Sequence, residues 1–466
     1  MIFNSIHFLW FLPLVVTLYY LIPSRWRWVL VLAASYTFYM FWRVEYIGLV
    51  IGTTLIDYWM GLQMGKREEP RQRLPFLLVS LIVNIGLLIT FKYLGFLGAS
   101  SNRFLGTDFT VLQFILPLGI SFHTFQSLAY AIDVYRDKIV PERHLGYFAV
   151  FVSYFPQMVA GPIERYDHLG TQLKEKHVLS YDNFSAGFRL MLFGFFAKIV
   201  VADNLAPIVT AFYKAPLMYG RRDAAIAIFA YAWQIYCDFW GYTLIATGAA
   251  RLLGVRLAIN FRSPYFATSI TDFWQRWHIS LTSWFRDYFF TPVSLQLRSL
   301  RRWGIAITFF LTYLLSGFWH GANWNFIVWG MLWGILYAIE FLLARLIRIT
   351  TPKQWSWQHI VRVPFIFLIA ALILVPFRGG KVFIALQAYD ALLFAHPNIT
   401  HLEFWLQPWL MLALFICCDI AFYNRDPDEW LGKRPTILRW AFYAVIAYCV
   451  LAFGAVDEVP FIYFQF

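Results

Sequence analysis

The sequence predicts an all-α protein, a polytopic bundle of membrane-spanning helices with interfacial helices between some of them. Three observations predict it. Of 466 residues, 60% are hydrophobic and only 14% are charged, too little charge for a soluble surface of that size. The apolar residues gather in runs close to the ~20 residues that cross a bilayer core as helix. Lysines and arginines fall mostly in the short stretches between those runs, as topology demands.

The runs follow in order: 7–21, 28–42, 46–64, 74–97, 111–132, 146–160, 188–206, 224–253, 304–319, 326–343, 361–376, 404–422 and 440–453. The first lacks a basic leader and is followed at once by others, so it reads as a span rather than a cleaved signal. Arg25 and Arg27, then Lys66, Arg67, Arg71 and Arg73, then Arg136 and Lys138 occupy alternate loops. The positive-inside rule places those loops in the cytosol and the N-terminus outside. Arg298, Arg301 and Arg302, then Arg345, Arg348 and Lys353, and finally Lys433 and Arg434 agree. No linker or internal repeat divides the chain, so one integral-membrane domain over residues 1–466 is expected.

Two stretches are not simple spans. Residues 164–181 are polar and basic. Residues 262–302 interleave aromatic and polar groups, as an interfacial or cavity-lining helix does. In a helix Asp272 and Arg276 pair at i,i+4, and Trp274 shares a face with His278.

The net charge of +12 is spread over loops facing membrane lipid and forms no basic domain, which argues against nucleic-acid binding. Cys237, Cys417, Cys418 and Cys449 lie in apolar stretches without zinc or disulfide spacing. No metal motif, phosphate loop or serine elbow is present. Asn183-Phe184-Ser185 and Asn398-Ile399-Thr400 match glycosylation sequons, patterns short enough to recur by chance.

Chemistry points to a few polar groups inside apolar surroundings. His320, in Gly317-Phe318-Trp319-His320-Gly321-Ala322-Asn323-Trp324, sits where an imidazole is costly without a partner or cavity. Counting helix rise from the cytosolic end puts it roughly 24 Å across, toward the external half. Imidazole titrates near neutrality and can take a proton in a reaction. The bland reading makes it interhelical glue, with Gly317 and Gly321 as close-packing residues. His278 is the second candidate, against an idle interfacial histidine. Asp238 in an apolar helix needs a cation, and a structural ion pair is the favoured reading. Pro117 reads as a kink in a span, with Ser121, His123 and Gln126 lining a pore.

Phe273-Trp274-Gln275-Arg276-Trp277-His278-Ile279-Ser280-Leu281, then Trp284-Phe285-Arg286-Asp287-Tyr288, then the His320 segment, resemble the membrane-bound O-acyltransferase family, in its alginate O-acetyltransferase branch. Leu116 to Phe122, Asp133-Val134-Tyr135-Arg136, Phe155-Pro156-Gln157 with Ala160-Gly161-Pro162, and the ending Phe461 to Phe466 are similar to that branch. The resemblance implies helices around a central tunnel in a bacterial inner membrane. It implies transfer of an acetyl group from a cytosolic thioester, acetyl-CoA, toward an extracytoplasmic polysaccharide such as alginate or cellulose. No covalently bound cofactor is implied, but a periplasmic acetyltransferase partner is. The family's invariant histidine maps onto His320 and its second histidine onto His278. Trp274, Trp277, Arg276, Asp238, Trp319, Asn323, Trp324 and Gln126 are then expected to support the tunnel. Trp240 stands where the family commonly has serine, and residues 293–302 lack the glycines common there; peptidoglycan and other envelope glycans stay open as acceptors.

On this reading His320 acts as general base, His278 orients a reacting group, and Trp274, Trp277, Trp319 and Trp324 exclude water. Transient acylation of a side chain is the alternative within that chemistry. Two rivals are D-alanyl transfer to teichoic acid and a transporter whose histidines relay protons.

Overall fold

Backbone polar groups in lipid must be satisfied within their own segment, which favours helices. A computed structural model describes every residue except 110, 112, 113, 159, 160, 348–356, 395–398, 456–458 and 466, and all its regular structure among the described residues is helical. Five helices there are long and apolar enough to cross a membrane: Pro70–Leu105, Tyr181–Lys214, Trp324–Ala344, Trp357–Gly379 and Thr436–Phe453. Ile6–Leu21, Val382–Leu393 and Leu406–Ala421 are shorter apolar helices. Ala160, Arg348, Lys353, Asn398 and Phe466 lie outside the described residues.

The chain divides into two compact units, one formed by residues 1–191 and 242–258, the other by 192–241 and 259–466. In the first unit, helices Ile47–Gly65 and Pro70–Leu88 pack together around a buried carboxylate. Asp57 accepts from Ser80 at 2.6 Å and from Asn84 at 2.9 Å.

Residues 146–160 do not form one span. The helix Leu145–Ser153 stops, and the four-residue helix Phe155–Met158 follows. Pro156 has no N–H to give the Val152 carbonyl, and the Phe155 N–H donates to the Ser35 hydroxyl at 3.1 Å instead of to the Phe151 carbonyl. His123 Nδ1 lies 3.2 Å from the Val152 carbonyl. Gln126 Nε2 donates to the Phe151 carbonyl at 2.6 Å, and Gln157 Nε2 to the Gln126 side-chain oxygen at 2.8 Å. Helix Ile120–Tyr135 therefore directs His123 and Gln126 at this helix break. Pro117 precedes that helix rather than kinking it; the helix starts after Gly119, at φ +69°.

In the second unit, helices Arg301–His320 and Trp324–Ile347 form a tight hairpin. Its closeness depends on glycine. A Cβ on Gly317 would meet the Gly330 Cα at 2.9 Å, and one on Gly330 would meet the Gly317 Cα at 3.0 Å. Small residues let the two backbones approach this closely. Helix Val382–Leu393, which the apolar runs did not announce, follows Gly379 and Gly380. Its 12 residues are too few for a full crossing.

Candidate active site

The segment 262–302 departs from a continuous helix. Ile270–Trp274 is a single turn, capped by Ser269, whose hydroxyl accepts from the Asp272 N–H at 3.0 Å. Glu340 braces the same turn, accepting from the Ile270 N–H at 2.6 Å and the Thr271 N–H at 2.9 Å. Arg276 still reaches Asp272, at 2.6 Å, although it lies beyond the helix. Its other nitrogens donate to Asn424 at 2.6 Å and Tyr423 at 3.2 Å. Arg276 is thus a buried brace for the loop.

His278 does not share a helix face with Trp274. Its backbone is left-handed, φ +45°, and it heads the helix Ile279–Phe285. The turn is held by the Ile279 N–H donating to the Asn260 carbonyl at 2.9 Å and the Arg262 N–H to the Arg276 carbonyl at 3.0 Å. The Asn260 side-chain oxygen lies 3.1 Å from His278 Nδ1 and accepts from the Ser280 hydroxyl at 2.9 Å. That oxygen can only accept, so the neutral ring carries its proton on Nδ1. Nε2 is left as the basic nitrogen. Burial pushes the imidazole well below its ordinary pKa, so the ring is neutral at physiological pH.

His320 ends the helix Arg301–His320 and is 4% exposed. Aromatic rings enclose it. Trp329 meets it edge-on at 4.9 Å between ring centroids, Trp319 at 4.9 Å, Phe377 at 5.3 Å and Tyr463 at 5.6 Å. Trp319 also meets His278, at 6.5 Å. A second aromatic route joins the two histidines: Phe239 lies 4.7 Å from His278 and 4.6 Å from Tyr463. The two buried imidazoles are therefore joined through one cluster of aromatic rings.

The other expected residues fall around it in different ways. Trp274 packs on Tyr313 at 4.7 Å and Trp333 at 5.1 Å, behind the cluster. Trp277 packs on Phe261 at 5.2 Å. Asn323 donates to the Gly380 carbonyl at 2.7 Å. Trp324 is 41% exposed, and Trp329 is the tryptophan of that helix that touches His320. Gln126 belongs to the first unit, at the helix break described above.

Asp238 pairs with a lysine. Lys198 Nζ sits 2.6 Å from Asp238 and 2.7 Å from Asp203, all three fully or nearly buried. Asp238 also accepts from the Ile462 N–H at 2.8 Å, next to Tyr463. Lys198 lies on the π-helical turn Phe196–Ala202, a local widening that often accompanies functional positions. The structural ion-pair reading fits these contacts, and the pair also fixes the strand of chain that brings Tyr463 to the cluster. No group of three metal-ligating side chains occurs among the described residues.

The sequence singled out none of Lys198, Asp203, Asn260, Trp329, Glu340 and Phe377, and marked Tyr463 only as part of the ending similar to the family. Lys198 and Glu340 could have been flagged, since each is a charge in an apolar helix. The aromatic residues carry no such signal in a chain this rich in rings.

The described helices and the two buried histidines belong to a multi-pass membrane protein. The family model for MBOAT, the membrane-bound O-acyltransferase family, matches residues 142–379, and the chain belongs to that family. It is 36% identical to the probable alginate O-acetylase AlgI of Pseudomonas putida, over the whole of both chains. It is 33% identical to a peptidoglycan O-acetyltransferase of Helicobacter pylori, over 72% of this chain and 68% of the other. A teichoic acid D-alanyltransferase of Bacillus subtilis is 29% identical over 47% of this chain and 57% of its own. The protein is thus a multi-pass membrane O-acyltransferase, which decides against the transporter reading.

Proposed function

We propose that this enzyme moves an acetyl group from a cytosolic thioester, acetyl-CoA, across the inner membrane for O-acetylation of an extracytoplasmic polysaccharide. The observation that carries the proposal is the aromatic cluster in which the Trp319 ring packs against both His320 and His278. A water-poor pocket protects a thioester from hydrolysis and strengthens every charge interaction inside it. His320 takes the proton of an acceptor hydroxyl as its oxygen attacks the thioester carbonyl. The carbon–sulfur bond then breaks, and the departing sulfur takes the proton from His320 to leave as free thiol. His278, its Nδ1 proton held by Asn260, presents Nε2 to orient the reacting group. Donor and acceptor meet at His320 through a tunnel open to both sides, with the N-terminus outside. A periplasmic acetyltransferase receives the group and completes its transfer to the glycan.

Acetyl transfer is favoured over D-alanyl transfer because the O-acetylase relatives match more of the chain and at higher identity. Among acceptors, alginate is favoured by the relatives that match over the whole of both chains, with peptidoglycan next. His320→Ala is expected to abolish O-acetylation of envelope polysaccharide at unchanged protein level in the membrane. Ester-bound acetate released by mild alkali from cells carrying the variant checks it, and acetate at the wild-type level would overturn the proposal.

A further inference from the structure

The first unit holds a cavity of about 160 Å³ that the acyl-transfer chemistry above does not use. Its walls combine cations with aromatic faces. Arg25, Arg27, Lys174 and Lys176 line it beside Trp28 and Tyr154. Glu175 is the carboxylate among them. Lys174 is already engaged by Glu142, and Arg27 by the His177 carbonyl at 2.5 Å and the Tyr19 ring at 4.7 Å. Arg25 and Lys176 are exposed, and no carboxylate pairs with either among the described ion pairs. The independent observation is Tyr154. It is 1% exposed, and its hydroxyl finds no hydrogen-bond partner among the described residues. A buried hydroxyl left unsatisfied is costly, and Tyr154 is one of the residues that line the cavity.

We infer that this cavity binds a phosphate-bearing group. Phosphate supplies several acceptor oxygens at one point, which suits guanidinium, ammonium and phenol donors together. A lone apolar ligand leaves the cations and the Tyr154 hydroxyl unanswered, and a cationic ligand is repelled by the excess of positive charge in the lining. The apolar wall at Trp28 and Val31 receives the part of the ligand adjoining the phosphate. Two sources carry this chemistry: the headgroup of an anionic phospholipid and the nucleotide phosphates of a coenzyme-type thioester. The lipid source is independent of the proposed acetyl transfer, whereas the coenzyme source rests on it.

The test uses the full chain purified in a neutral detergent and two matched probe pairs. Short-chain phosphatidylglycerol is compared with short-chain diacylglycerol, and CoA with pantetheine, by direct binding titration. The phosphate-bearing member of one pair is expected to bind and its phosphate-free partner not. Arg25→Ala with Lys176→Ala is expected to weaken that binding by roughly tenfold or more, and Tyr154→Phe by about fivefold. The pair that responds names the source. Binding of neither phosphate-bearing probe, equal binding within each pair, or unchanged binding in both variants overturns the inference. Because binding is read without turnover, its failure leaves the acetyl-transfer proposal standing, and the reverse also holds.

Discussion

At the scale of single residues, the two buried imidazoles stand in different surroundings. His278 is locked by Asn260, which itself is held by Ser280. His320 is surrounded by rings. Orientation matters because small misplacements of a reacting group cost rates steeply. Asn260→Ala removes the acceptor that fixes the His278 tautomer. Acetyl transfer is expected to fall by about a hundredfold, with membrane protein level unchanged; Asn260→Asp, which keeps the acceptor, is expected to retain more activity. Assay of labelled acetyl transfer by the two variants in membranes checks this, and equal wild-type rates would remove Asn260 from the site. The histidines were legible in the sequence because an ionisable group in an apolar run is expensive. Their surroundings were not. Trp324 looked close to His320 along the chain, but it begins a new helix on the exposed side, while Trp329 turns inward. Tyr463 comes from a remote segment that only tertiary contact brings near.

At the scale of elements, the hairpin of Arg301–His320 and Trp324–Ile347 sets where His320 ends up. Gly317 and Gly330 leave no room for side chains between the backbones. Gly330→Leu is expected to destabilise the protein by about 1–3 kcal/mol and to lower transfer by displacing His320. Thermal unfolding of the purified variant in detergent, alongside wild type, measures the first effect; an unchanged midpoint would show that the hairpin can open to admit the chain. Most helices were readable from apolar runs of spanning length. The failures have physical causes. The run 146–160 is uniformly apolar, so hydropathy cannot show that Pro156 breaks it. The aromatic stretch around 271–288 has helical spacing, yet Asn260 and Arg262 draw its backbone into a turn. Those partners are distant enough in sequence that periodicity gives no warning.

At the scale of the whole molecule, lipid is the solvent. Large apolar side chains stand outward on many helices, including Trp10, Ile360, Ile437 and Leu451, each more than 70% exposed. A water-soluble monomer would not tolerate so many. The basic loops supply the proposed direction of insertion. In a variant lacking Cys237, Cys417, Cys418 and Cys449, a cysteine placed at Lys66 is expected to react with a membrane-impermeant thiol reagent only when the cytosolic side is opened. Labelling in intact cells with a permeabilised outer membrane would reverse the orientation. Among the charges that must enter lipid, Lys198 and Asp203 sit on one helix, Tyr181–Lys214, and already touch each other. That span can therefore pass into the bilayer during synthesis with the Lys198 charge cancelled by Asp203, before Asp238 on a later helix has been made.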